Sequence, residues 1–246
     1  MTETPMRPAT PRALGLRAGR GSRRGAPGLI RLVLHAGICA LALGALALGA
    51  PSRARAAPWH NIDVAGSVPA LDFAMTDAAT GRPVTAADFR GRIVLLYLGY
   101  TNCPDVCPLT LHNVAVILHR LGAAAKEVRV LFVTVDPHRD TLAALHRYTA
   151  LFGPQFVGLR PDANQLARLA RRYRLAYSVT PARDGQPYTV LHSAAIYVFD
   201  RTGAARLLVP SLASTTPDLA GTTADLRRLL RPGGTGGWFD RLVRRF

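Results

Sequence analysis

Lysine is almost absent from this 246-residue chain: Lys126 is the only one, and the formal net charge of +16 rests on arginine. Those arginines are scattered, with no aromatic residues interleaved among them. That excludes a dedicated nucleic-acid surface and leaves attraction to anionic lipid or to an acidic patch on a partner. Cysteine is scarce as well, with three residues. Cys39 sits in an apolar stretch as filler, and Cys103 and Cys107 would close so short a loop that a disulfide there restrains little of the unfolded chain. A disulfide-stapled scaffold is therefore excluded. No internal repeat is visible, and a chain of this length can bury one adequate core.

The amino terminus carries a leader. Residues 1–56 hold nine arginines and a single acid, Glu3, and contain an apolar stretch from Leu32 to Ala50 that only His35 interrupts. A basic segment, an apolar segment and the triplet Ala54-Arg55-Ala56 predict a signal peptide cleaved before Ala57. The stretch is also close to the roughly 20 residues that span a bilayer, so an uncleaved N-terminal membrane anchor is the alternative. Either way the positive-inside rule exports the remainder of the chain. Ser22-Arg23-Arg24 is a poor twin-arginine signal, because Gly25-Ala26-Pro27 stands where apolar residues are needed. With the leader set aside, 22 basic groups face 14 acidic ones, and half of the headline charge is gone.

Residues 57–70 read as a linker and folding is expected from Leu71, giving a domain over 71–231 and a tail over 232–246. Asp77 to Pro83 reads as a hairpin turn. Ile93 to Leu98 is an unbroken apolar run, a strand buried on both faces. Pro108 is welcome as a first helical residue, so a helix is expected from Pro108 to Leu121, ended by Gly122. A second buried strand spans Val128 to Val135. Asp140 or Thr141 would cap a helix from Leu142 to Phe152, and Asp162 another to Tyr173. Strands Gln155 to Leu159, Ala195 to Phe199 and Ala205 to Val209 come next in kind, then a helix from about Thr222 to Leu230. This order describes a thioredoxin-like α/β sandwich, a central mixed sheet flanked by helices. Trp238 to Phe246 is read as a frayed end.

The chemistry lies in Cys103 and Cys107, at the end of the first buried strand, and in His192, before a later one. A thiolate pair in one short turn can form a disulfide, reduce one, or grip a soft cation, and an imidazole arriving from elsewhere favours metal. The loop's place at the positive end of the helix is expected to lower the Cys107 pKa. Two Cys and one His suit copper in both oxidation states, yet would also hold zinc with an open fourth position. His112 and His119 share a helix face and read as solvated; His138 and His146 are unpaired, and His60 falls in the linker. Tyr100 and Tyr197 read as core or rim.

Gly99-Tyr100-Thr101-Asn102-Cys103-Pro104-Asp105-Val106-Cys107-Pro108, then Val135-Asp136-Pro137-His138-Arg139-Asp140-Thr141, then His192-Ser193, together resemble the Sco/SenC family of copper chaperones for cytochrome c oxidase assembly. The likeness spans Leu71 to Leu230. It implies that Cys103, Cys107 and His192 bind copper, as Cu(I), Cu(II) or both, and that Cys103 and Cys107 also form a redox disulfide. Asp136 and Asp140 fall in the acidic block beside that site. The implied partners are the copper-accepting subunit of the oxidase, a thiol-disulfide reductant, and the membrane through the N-terminal segment. The implied location is the periplasmic side of a bacterial inner membrane. The competing class is a thiol-disulfide reductase that keeps the oxidase cysteines reduced. Against it, redox proteins of this fold place two residues between the cysteines rather than three, and a cis-proline where this chain has Leu191-His192-Ser193. Thiol peroxidases need a different threonine-to-cysteine spacing from Thr101-Asn102-Cys103.

Overall fold

A computed structural model describes residues 58–181, 188–210 and 212–232. The leader 1–56, residues 182–187 and the tail beyond Pro232 lie outside the described residues. Among the described residues no helix is long and apolar enough to cross a membrane.

The strand expected from Ile93 to Leu98 is β4, Ile93–Gly99, and all seven of its residues are buried. It pairs in parallel with β5, Val128–Thr134, and antiparallel with β9, Ile196–Phe199. The remaining strands are β1 (Ile62–Asp63), β2 (Ala74–Asp77), β3 (Pro83–Thr85), β6 (Phe156–Arg160), the pair β7 (Tyr177–Thr180) and β8 (Thr189–His192), and β10 (Ala205–Val209). The main sheet runs β1-β10-β9-β4-β5-β6-β2-β3, while β7 and β8 form a separate ribbon. Helices α1 (Val106–Leu121), α2 (Leu142–Ala150), α3 (Ala163–Tyr173) and α4 (Leu219–Leu230) flank it. This is the thioredoxin-like α/β architecture.

Alternation along β4 explains why the sheet is covered on both sides. Ile93, Leu95 and Tyr97 enter a core with Leu111, Val114 and Ile117 of α1 and Leu226 and Leu229 of α4. Val94, Leu96 and Leu98 enter a second core with Leu166, Leu169 and Tyr173 of α3. Caps set the helix starts: Thr141 accepts from the Ala144 amide at 3.2 Å, and Asp162 and Gln165 form a reciprocal capping box at 2.7 and 2.8 Å. Asp218, which accepts from the Gly221 amide at 2.7 Å, starts α4 three residues before the expected Thr222. Helix α1 begins two residues before Pro108. The first amides of a helix have no intrahelical acceptor, so proline fits the third position as readily as the first.

One expectation changes. Residues 58–70, within the stretch read as a linker over 57–70, are folded onto the domain. Strand β1 pairs with β10, the Arg228 guanidinium sits 3.8 Å from the Trp59 ring centroid, and buried Asp225 accepts from the His60 and Asn61 amides and the Asn61 side chain. These bonds join residues some 165 positions apart, which local composition cannot reveal. In the β7–β8 ribbon His192 is opposite Tyr177.

Candidate metal centre

Strand β4 ends at Gly99, where α1 and β5 converge, and the cysteine loop starts there. An added Cβ at Gly99 would stand 2.5 Å from Phe132 Cε2 and 2.8 Å from Cys107 Sγ. Only glycine admits that sulfur so close to the strand. Cys103 lies half-buried in the loop, and Cys107 is fully buried in the first turn of α1. Both are free thiols. The Cys107 amide donates to Cys103 Sγ at 3.4 Å.

His192 arrives from the end of β8, its Nε2 3.1 Å from Cys107 Sγ. The donor atoms of Cys103, Cys107 and His192 all lie within 4.8 Å of one another, and this is the only such group of three among the described residues. His192 Nδ1 is 3.0 Å from the Ser193 carbonyl oxygen. A carbonyl only accepts, so Nδ1 carries the proton and the Nε2 lone pair faces the sulfur. Tyr97 and Tyr100 hold the ring edge-on, each with its centroid 5.9 Å away. Burial pushes the His192 pKa below its ordinary value, which keeps the imidazole neutral and able to donate to a metal.

The expectation that the helix terminus lowers the Cys107 pKa is overturned. Burial pushes this thiol up, and its hydrogen bond to the Tyr100 backbone opposes the rise only in part. Removing a thiolate from water outweighs the partial charge of a helix end.

Asp136 and Asp140 stand beside the site without belonging to the donor group. Asp140 does not cap α2. Fully buried, it accepts from the Thr101 amide, from the Thr101 hydroxyl and from the Thr134 hydroxyl, tying the cysteine loop to the end of β5. Asp136 pairs with Arg139 and accepts from the Tyr188 hydroxyl at 2.6 Å. Arg139 lies 3.7 Å from the Tyr188 ring centroid and donates to the Tyr188 carbonyl. Desolvation and then the Asp136 carboxylate push the Tyr188 pKa up to about 12, so it stays a donor. Asp136 and Arg139 thus pin the ribbon that carries His192. Sequence reading gave no role to Thr101, Thr134, Arg139, Tyr188 or Gly99. Only the place of Gly99, directly between a buried strand and the cysteine loop, was a usable signal.

The other histidines stay apart from this site: His112, His119, His138 and His146 are exposed. Tyr100 and Tyr197 are buried, and the Tyr197 hydroxyl donates to the Tyr173 carbonyl. The arrangement offers two sulfurs and one neutral nitrogen, open on the Cys103 side and closed behind Cys107.

The SCO1/SenC sequence profile matches residues 67–229. The mitochondrial SCO2 homolog of Mus musculus is 38% identical over 193 residues, covering 76% of this chain and 74% of that protein. The Bos taurus SCO2 homolog is 45% identical over 134 residues, and there the match covers 50% of the relative. The structure of Bradyrhizobium japonicum ScoI with copper bound superposes with a TM-score of 0.57 at 35% identity, covering 65% of this chain and 98% of that one. Profile, relatives and architecture agree, and the chain belongs to the SCO1/SenC family.

Proposed function

We propose that the chain binds copper through Cys103, Cys107 and His192 and passes it to the copper-accepting subunit of cytochrome c oxidase. The observation that carries this is the meeting of three donors from separate segments, with the His192 lone pair 3.1 Å from the Cys107 sulfur. Copper is cargo here. Cu(I) takes the two thiolates with or without the imidazole, and Cu(II) takes thiolate with imidazole, so one site serves both states. The donor chemistry alone also admits zinc. The copper-bound ScoI relative favours copper. Cys103, half-exposed at the mouth, is the ligand an incoming partner thiolate displaces first. The basic and apolar composition of residues 1–56 supports a location on the periplasmic side of the inner membrane, with the leader cleaved or kept as an anchor.

One observation favours a second reading, a thiol-disulfide reductase. The Cys107 amide points at Cys103 Sγ, and Cys103 is the accessible member of the pair. A Cys103 thiolate would attack a partner disulfide and form a mixed disulfide. The Cys107 sulfur, losing its proton to solvent, would then release the partner as a dithiol, leaving this chain two electrons poorer and dependent on an external dithiol.

The test is to reduce the full chain, add one equivalent of Cu(II), and record sulfur-to-copper charge-transfer absorption. The band is expected in the wild type. His192→Ala is expected to lose tight Cu(II) binding while keeping thiol exchange. An unchanged Cu(II) affinity in that variant would overturn the copper-site reading in favour of redox work.

A further inference from the structure

The parallel strands β4 and β5 end at the donor site and begin, at Ile93 and Val128, on the opposite end of the domain. Helix α1 returns to that far end at Leu121. Helix α4 also finishes there, since Arg201, in the turn after β9, donates to the Leu229 and Leu230 carbonyls. Arg90, Arg92, Arg120, Lys126, Arg129 and Arg227 collect at this end. Arg92 and Arg129 both donate to the Lys126 carbonyl, at 2.9 and 3.0 Å, and Arg227 donates to the Arg120 carbonyl at 2.5 Å. The Arg90 guanidinium covers the β9–β10 turn, 2.8 Å from where a Cβ on Gly203 would stand.

Capping the last carbonyls of helices explains these hydrogen bonds. It does not explain the charge, because a carbonyl neutralises nothing. Among the described residues, the acids near this end are Glu127, paired with Arg201, buried Asp200, held by its own turn and Arg206, and Asp88, which is bonded to Thr85 and keeps its charge, so the cations outnumber them. Holding Arg92 against Arg129 is itself repulsive, and burial together with that neighbour depresses the Arg129 pKa. The opposite end carries Asp105, Asp136 and Asp140 together with Arg139, which pairs with Asp136, and Arg160, and so holds no comparable excess of cations. The domain is electrically polar along the direction of its strands.

We propose that this basic end docks on an anionic lipid bilayer, so that the three donor residues face away from the membrane. A membrane fits better than an acidic protein for two reasons. Trp59, packed on Arg228 in the last turn of α4, marks where the N-terminal segment joins the domain, and only residues 51–57 separate the apolar stretch ending at Ala50 from Pro58. Fully extended, that connection reaches at most about 30 Å. Secondly, Arg90 shares with Arg168, Arg171 and Arg172 a groove of about 900 Å³ in which Asp72, paired with Arg172, is the one carboxylate of the lining. Four guanidiniums against one carboxylate match a phosphate headgroup.

The experiment reconstitutes the full chain into nanodiscs of phosphatidylcholine alone or mixed with phosphatidylglycerol, and reads amide hydrogen exchange by mass spectrometry. Slowed exchange over 89–93 and 122–129 is expected on the anionic discs only, reversed by high salt, with 101–107 unchanged. In an Arg92→Gln, Lys126→Gln, Arg129→Gln variant the docked fraction should fall about fivefold per cation removed. An unchanged copper charge-transfer band would show that this variant is folded. Equal protection on both disc types, protection at 101–107 instead, or none on the anionic discs would each overturn the proposal. The wild-type lipid and salt arms decide it even if the variant misfolds. The copper reading fails separately, by absence of the charge-transfer band.

Discussion

The two sulfurs are chemically unequal although they lie in one loop. Cys107 is 0% exposed and held as a thiol by burial, whereas Cys103 opens towards solvent. Each unit of upward pKa shift removes about nine-tenths of the thiolate, which is the species that reacts. Alkylation of the reduced, metal-free chain with iodoacetamide at pH 8 should therefore modify Cys103 well before Cys107. Peptide mass spectrometry at successive times checks this. Because the Cys107 shift is upward, raising the pH from 7 to 8 should leave this thiol overwhelmingly protonated and still the slower of the two. Equal rates would mean that the site opens freely in solution. His192 complements this asymmetry: its buried ring is neutral, its proton is committed to the Ser193 carbonyl, and its lone pair is available without prior deprotonation.

At the scale of elements, the site is a junction of four pieces: the end of β4, the first turn of α1, the loop after β5, and the β7–β8 ribbon. Gly99 is the position where the first two come closest. Gly99→Ala would drive a methyl into Phe132 and Cys107, and overpacking of this kind costs about 1–3 kcal/mol. The expected result is a lower denaturant midpoint together with a shifted copper charge-transfer band, because the sulfur moves with α1. A loss of stability with an unaltered band would place the strain in Phe132 alone. Asp140 and Asp136 serve the other two pieces, one tying the cysteine loop to β5 and the other fastening the ribbon through Arg139 and Tyr188. The acidic pair was legible as a motif beside the site. Its division of labour was not, because Tyr188 lies 52 positions from Asp136 and no local pattern joins them.

For the whole molecule, the domain begins before Leu71. Asp225 is buried in α4 and satisfied by donors from His60 and Asn61, so the N-terminal segment closes the fold beside β10. Asp225→Ala leaves those amides without their charged acceptor, a loss of about 1.5–3 kcal/mol. Chemical denaturation should show that loss, with copper binding retained at saturating metal because the donors lie elsewhere. A neutral outcome would return residues 58–70 to the status of a linker. The charge asymmetry between the two ends of the strands is also a property of this scale, and no single element contains it.

Periodicity, breakers and caps are local, and from them the chain by itself determined the order of its central strands and four helices and the doubly buried β4, while the cysteine and histidine motifs singled out Cys103, Cys107 and His192 as candidate donors. Separations in space are not local. The tertiary structure alone decided that Cys107 is a protected thiol rather than an activated one, because desolvation depends on what packs around the sulfur. It also decided that the apparent linker contributes a strand to the sheet, and that arginines scattered through the sequence converge on the end of the domain opposite Cys103, Cys107 and His192.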